Sequence, residues 1–239
     1  MPHAANFLLG RLAPATLARL VPHLSVVEIT ARDIIAEPHQ QLQRVYFPHS
    51  GIISSVVELA DGGAIETGMI GKDGVFGASQ ALDHKVSLNL VTVQISGRAS
   101  IVTSERLRAL AAELPDFKMV LLKYEQFFLS QVQQTAACNA VHDIEARTCK
   151  WLSRMFDLAG PDLPLTQEFF AGMMGVRRTS ITTVAGELHG AGLISYSRGR
   201  LHIVNISQIR KRACECDEVV RGHYQRMFRA DETDETNAS

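Results

Sequence analysis

The chain has 239 residues, 46% of them hydrophobic, and a formal net charge of -1 from 24 Lys and Arg against 25 Asp and Glu. That length and apolar content suffice for one or two buried cores, and the near-neutral balance gives no overall pull toward nucleic acid or membrane. There is no apolar run of about 18 residues, the start MPHAANFLLGRLAPATL lacks a secretion-signal core, and Cys138, Cys149, Cys214 and Cys216 are too few and too irregularly spaced for a disulfide framework or a paired CxxC zinc site. The expectation is a cytoplasmic protein with no membrane partner.

Pro14 to Leu20 reads as a short helix. Residues 24 to 103 then carry short apolar or alternating runs broken by turn chemistry: VVEI, VYFPHSGIISSVVELA, Asp61-Gly62-Gly63, AIETGMIG, Lys72-Asp73-Gly74 and LVTVQISGRASIV. Such strands joined by glycine-rich turns predict a barrel or jelly roll. His23, His39, His49 and His84 fall in this region without ligand spacing and read as separate surface side chains.

From Pro115 the period changes. Phe117, Leu121, Tyr124, Phe128, Gln131, Thr135 and Cys138 alternate by four and three, the a/d spacing of a pairing helix, with Val120, Phe127 and Val132 alongside. Polar Gln131 and Thr135 at seam positions favour a helix-helix register and hence a homodimer; the alternative is a helix lying on the barrel as part of its core. A second helix is expected from Asp143 to Ala159, stopped by Gly160-Pro161.

In LTQEFFAGMMGVRRTSITTVAGELHGAGLI, Thr166 suits an N-cap and Glu168 lies in the first turn, where the helix dipole favours a negative charge. Gly175 falls between two apolar-striped segments, the second built on Ile181, Val184, Ala185 and Leu188. Small residues at the crossing and a glycine able to take positive φ predict a helix-turn-helix over Gln167 to Gly186. The following GAGLISYSRGRLHIVN supplies two β runs around Arg198-Gly199, the pattern of a wing.

The face left over holds guanidinium and hydroxyl groups, which suit phosphates and base edges. Arg178 is assigned to a guanine edge, Thr179 and Thr183 to bases or thymine methyls, and Thr166, Arg177, Ser180, Arg198 and Arg200 to phosphates. Residues 160 to 229 carry ten basic against six acidic side chains, a local charge of about +4. Gly186 has no reason beyond close packing. Cys214-Glu215-Cys216 near His223 reads as packing rather than a soft-metal site, and DETDETNAS reads as a disordered acidic tail.

The order of these parts resembles the Crp/Fnr family of bacterial transcription regulators over roughly residues 20 to 210. The resemblance is carried most by LTQEFFAGMMGVRRTSITTVAGELHGAGLIS and less by VYFPHSGIISSVVELADGGAIETGMIGKDGVFG. It implies an α+β chain: a jelly-roll, cyclic-nucleotide-binding-like β-roll sensory domain (1–114), a long dimerisation helix (115–141), a winged helix-turn-helix (142–229) and the acidic tail (230–239). It also implies a homodimer reading a palindromic operator in double-stranded DNA, with RNA polymerase as a protein partner.

The family's nucleotide-binding members carry a Phe-Gly-Glu turn and an Arg-Ser/Thr on the next strand. Here the turn is Phe76-Gly77-Ala78-Ser79-Gln80 and the strand position is Leu88-Asn89-Leu90, so cAMP is not expected. No cysteine precedes Cys138, so the family's N-terminal iron-sulfur cluster is not expected either. Arg178, Thr179 and Thr183 stand where many members carry Arg, Glu and a second Arg, which implies a different half-site. No paired carboxylates, nucleophile elbow, phosphate loop or HExxH motif is placed for catalysis. The competing reading is a cyclic-nucleotide-type sensor or scaffold whose winged helix binds protein.

Overall fold

The computed structural model describes residues 2–60, 62–83 and 86–228; the expected tail 230–239 and His84 lie outside the described residues. Two short helices, α1 (Phe7–Gly10) and α2 (Pro14–Leu20), precede the strands β1 (Ser25–Ile29), β2 (Ile34–Ala36), β3 (Arg44–Pro48), β4 (Ile52–Glu58) and β5 (Ala64–Ile70). Helix α3 (Ala78–Leu82) separates these from β6 (Leu90–Ile95) and β7 (Gly97–Thr103). The strands form two antiparallel sheets, ordered β1-β7-β3 and β2-β6-β4-β5, as the alternating runs and turns require.

Helix α4 (Ser104–Glu113) leads into the long α5 (Pro115–Val141) and α6 (Ile144–Ala159). Asp143 caps α6 by accepting from the Ala146 amide, and Gly160 ends it at φ 86°. Then come β8 (Asp162–Leu163), α7 (Gln167–Met174), α8 (Arg178–Gly190), β9 (Ile194–Ser197), β10 (Arg200–Ile203), α9 (Ile206–Arg212) and α10 (Cys216–Phe228). Strands β8, β10 and β9 form the wing sheet. Among the described residues no helix is long and apolar enough to cross a membrane.

Strand β4 is buried at every residue from Ile52 to Val56. The reason is that alternate side chains on a strand face opposite ways and both sides are covered. Ile53, Ile70 and Val93 point into the β-roll core, whereas Ile52, Met69 and Ile95 pack with Trp151, Leu152, Phe170 and Leu188 of the helix-turn-helix core. The winged module therefore lies directly on the β-roll.

Two expectations are corrected. Phe117, Leu121, Tyr124, Gln131 and Cys138 are buried inside the chain itself, with Phe128 and Thr135 half-buried. Phe117, Leu121, Tyr124 and Phe128 serve the β-roll core, where Phe117 packs near Phe47 and Tyr124 near Phe127, whereas Gln131 and Thr135 line the space between α5 and its neighbours and Cys138 packs with Cys214 and Cys216. The opposite face of α5 is the open one: Met119 is 53%, Leu122 45% and Leu129 57% exposed. The second correction concerns α10, which the sequence grouped with the winged module. Its Val220 and Phe228 join the β-roll core, and Tyr224 meets Phe127 edge-on at 5.1 Å.

Candidate nucleic-acid interface

The turn between α7 and α8 is built on Gly175, left-handed at φ 64°. A Cβ there would also sit 2.9 Å from Cδ1 of Ile65 on β5, so backbone conformation and close approach both select glycine. Thr166 caps α7 by accepting from the Phe169 amide at 3.2 Å. Trp151 of α6 stacks on Phe170 of α7, ring centroids 4.5 Å apart. Below α8, Ile181, Val184, Ala185 and Leu188 are buried at helical spacing.

That stripe leaves Arg177, Arg178, Thr179, Thr182 and Thr183 exposed and Ser180 half-buried. Arg177 is the N-cap residue of α8 and its side chain makes no cap hydrogen bond; the Ser180 amide donates to the Arg177 carbonyl at 3.0 Å, and the positive end of the helix dipole lies at this edge. Arg178 lies 3.6 Å from Glu168, both largely exposed, a pairing worth little in water. Thr183 donates to the Thr179 carbonyl at 3.1 Å and Thr182 bridges to Gln167 Oε1 at 2.9 Å, which holds the two hydroxyls in fixed positions along the helix.

The wing turn is a two-residue hairpin with Arg198 at φ 46° and Gly199 at φ 76°, and Ser197 opposite Arg200 in the ladder. Positive φ at both central residues matches the right-handed twist of the flanking strands. A Cβ on Gly199 would approach Thr166 Cγ2 at 3.3 Å, so the wing arginines and the α7 cap share one edge. The residues assigned to nucleic acid, Thr166, Arg177, Arg178, Thr179, Ser180, Thr183, Arg198 and Arg200, thus come together around α8 and the wing. Gly186 is exposed with open space around it, so close packing is not its reason.

The contact between the two modules has a polar centre that the sequence reading missed. Glu66 on β5 accepts from Ser54 Oγ at 2.6 Å and from Trp151 Nε1 at 2.8 Å. Burial raises its carboxyl to about 7. Arg154 grips Asp73 through two bonds of 2.6 and 3.2 Å. Glu66, Asp73, Trp151 and Arg154 line a cavity of about 350 Å³ between β5, α5, α6 and α10. No local motif marks it, because its walls come from segments far apart in the chain.

At the position corresponding to the nucleotide-binding turn, Gly77 (φ 91°) opens α3 and Ala78 is fully buried. The Ser79 amide is taken by the carboxylate of Glu125 from α5 at 3.2 Å, and Leu88 stands 76% exposed. Two histidines differ from the expectation: His23 is half-buried and its Nε2 accepts from Arg106 Nη2 at 3.1 Å. His49 and His3 both meet Ser100 Oγ at 2.7 Å, so His49 is not a separate surface side chain.

Residues 146–212 match the family model of the Crp-like helix-turn-helix domain. No curated protein matches the sequence significantly. Among solved structures, the chain is similar to the c-di-GMP-responsive global regulator CLP of Xanthomonas campestris (17% identity, TM-score 0.64, covering 80% of this chain and 99% of that one). It is similar to FixK2 of Bradyrhizobium japonicum (13%, TM-score 0.68, 80% and 98%) and to a CRP-family regulator of Thermus thermophilus (17%, TM-score 0.65, 78% and 96%). At these identities the likeness establishes the fold. Residues 146–212 carry a Crp-like helix-turn-helix domain, and the β-roll and long helix before it share the fold of these solved structures.

Proposed function

We propose that this chain, built on the Crp/Fnr plan, is a homodimeric, sequence-specific DNA-binding regulator of transcription. The observation that supports the reading is the exposed face of α8 with Arg177, Arg178, Thr179 and Thr183, linked to the N-terminal end of α7 by Arg178 near Glu168, where the wing turn also approaches through Gly199 at Thr166. In a major groove, Arg178 reaches a guanine edge and the threonines meet bases or thymine methyls. Arg177, Ser180, Thr166, Arg198 and Arg200 hold phosphates. RNA polymerase is the protein partner this reading carries, and the cytoplasm its place of action.

The pairing surface is the open face of α5. Met119, Leu122, Gln126, Leu129, Gln133, Ala136 and Ala140 are all exposed and alternate by three and four, so one copy presents a heptad stripe that a second copy matches. Gln126 and Gln133 within that stripe fix register. The β-roll does not take cAMP in this reading: Ala78 and Leu88 offer no ribose or phosphate partner, and the Glu125 carboxylate at the start of α3 opposes an anion.

Selection of bound duplexes from a random pool by the purified protein tests the proposal. The expected result is one enriched inverted repeat. Recovery of the pool unchanged would refute sequence-specific binding.

A further inference from the structure

Cys214 and Cys216, read from the sequence as packing residues, and Cys138, read as a seam residue, converge where the two modules are joined. Cys138 lies in the last turn of α5 and His142 is the C-cap residue of that helix. Cys214 lies in the connection from α9 to α10, and Cys216 begins α10. The three Sγ atoms and a ring nitrogen of His142 all lie within 4.8 Å of one another. Cys138 Sγ is 3.4 Å from Cys214 Sγ, and Cys216 Sγ is 3.6 Å from His142 Nδ1. All three thiols are buried. His223, which the sequence placed nearest, instead faces Ser130 Oγ at 3.2 Å.

We propose that Cys138, His142, Cys214 and Cys216 bind one thiophilic divalent metal ion of the zinc class, and that this ion ties the end of α5 to the C-terminal helix. Three thiolates and one imidazole are the donor set of a closed, tetrahedral structural site. A tetrahedral ion about 2.3 Å from each sulfur holds neighbouring sulfurs about 3.8 Å apart, between the 3.4 Å of Cys138 to Cys214 and the 4.8 Å that bounds the whole set. Donors this close together surround a single ion; a multi-iron cluster would spread its thiolates over different irons.

The surroundings carry the proposal beyond the four donors. His142 Nε2 lies 3.2 Å from Glu215 Oε1, so the carboxylate accepts a hydrogen bond from Nε2–H, which keeps the proton on that nitrogen and leaves the Nδ1 lone pair toward the cysteines. Gln134 Nε2 donates to Cys216 Sγ at 3.1 Å, a bond that favours a thiolate acceptor. Three thiolates around a divalent ion leave one negative charge, and the Lys150 amine, held by Thr135 Oγ1 at 3.3 Å, supplies a cation on the neighbouring helix. A disulfide between Cys138 and Cys214 would engage only two of these groups and leave the oriented histidine and Cys216 without a role.

The site closes a long loop. Its donors come as C-x3-H and C-x-C, with 71 residues lying between His142 and Cys214 in the sequence. Between those pairs lies nearly the whole winged module, so the ion pins both ends of it against α5. His142 directly precedes Asp143, the cap of α6. Occupancy therefore holds the α5–α6 joint, through which any reorientation of α8 relative to α5 has to pass.

The test uses the full chain, purified under thiol reductant without chelator. Metal analysis should find zinc at one ion per chain. Cobalt(II) added to the metal-free protein should develop thiolate-to-cobalt charge-transfer bands with intense tetrahedral d–d absorption, saturate at one equivalent and be displaced by zinc. Cys214→Ser and Cys216→Ser should abolish the charge-transfer signal or weaken binding at least tenfold, Glu215→Gln should weaken it about tenfold, and Cys149→Ala, whose thiol lies outside the cluster, should leave it intact. If the serine variants do not fold, the wild-type cobalt spectrum decides alone. Cobalt uptake without thiolate bands, uptake undiminished in a folded Cys214→Ser, Cys216→Ser double variant, or a metal-free protein whose only product is a Cys138–Cys214 disulfide would each overturn the proposal.

Discussion

Helices α5 and α8 each bury one stripe and expose another, and the two exposed stripes could hardly be less alike. On α8 the buried set Ile181, Val184, Ala185 and Leu188 is opposed by arginines and threonines. On α5 the buried set Phe117, Leu121, Tyr124 and Phe127 is opposed by Met119, Leu122 and Leu129. A guanidinium and hydroxyl face gains from a polyanion and loses little in water. An apolar heptad face gains only where other apolar surface covers it. In the function proposed above, DNA meets one helix and a second copy of the chain the other.

The sharpest way to break this contrast is to place one charge on each side of α5. Leu121→Asp buries a carboxylate in the β-roll core and should cost several kcal/mol, seen as loss of the cooperative thermal transition near ambient temperature. Leu122→Asp, one residue on, should leave the fold intact and convert the dimer to monomer in sedimentation. A Leu122→Asp protein that stays dimeric would remove the pairing surface from α5.

The packing of the winged module on the β-roll predicts a pH effect through Glu66. Its folded carboxyl titrates at about 7, above its ordinary value of 4.5. The stability it contributes is therefore complete below about pH 4.5 and lost as pH rises through about 7, a change of about 3 kcal/mol. Glu125 and Asp217 are shifted upward by burial as well, so the difference between wild type and Glu66→Gln isolates this group. Denaturant titrations from pH 5 to 8 should show wild type losing stability relative to Glu66→Gln as pH rises. Parallel curves would place Glu66 in water.

On α8 the contrast sharpens residue by residue. Arg178→Ala should weaken a cognate duplex by about 1 to 3 kcal/mol and relax one base pair, whereas Arg177→Ala or Arg200→Ala should weaken all duplexes alike and lower the salt slope by about one. Fluorescence anisotropy against cognate and scrambled duplexes over a salt series separates the two classes. Equal weakening of both duplexes by Arg178→Ala would reduce that arginine to a phosphate clamp. The smallest effect is at Gly186, exposed in mid-helix with open space for a Cβ. Gly186→Ala should stabilise the chain by about 0.5 to 1 kcal/mol, and its duplex affinity shows whether DNA approaches that position closely.

The helix-turn-helix was legible because its rules are local: Thr166 as cap, Gly175 at the turn, and one apolar stripe on each helix. The strands of the β-roll followed from alternation and glycine turns in the same way. On α5 the rhythm was read correctly and the face wrongly. Two heptad registers run through the same helix, and only tertiary packing shows which one the β-roll consumes. Glu66 and the Cys138, His142, Cys214 and Cys216 set were out of reach for a related reason. Their partners lie tens of residues away, and neither spacing nor composition encodes which distant segments a fold brings together. The path of α10 back to α5 was missed on the same ground, since its apolar residues are compatible with either module.

The most direct measurement of the central claim is a hydroxyl-radical footprint of the wild-type protein on its selected duplex, with Leu122→Asp beside it. The wild type should protect two patches related by a two-fold axis, their centres about one helical turn apart, and Leu122→Asp should protect neither at the same concentration. A single protected patch, equal for both proteins, would contradict a dimer that pairs through α5 and reads DNA through α8.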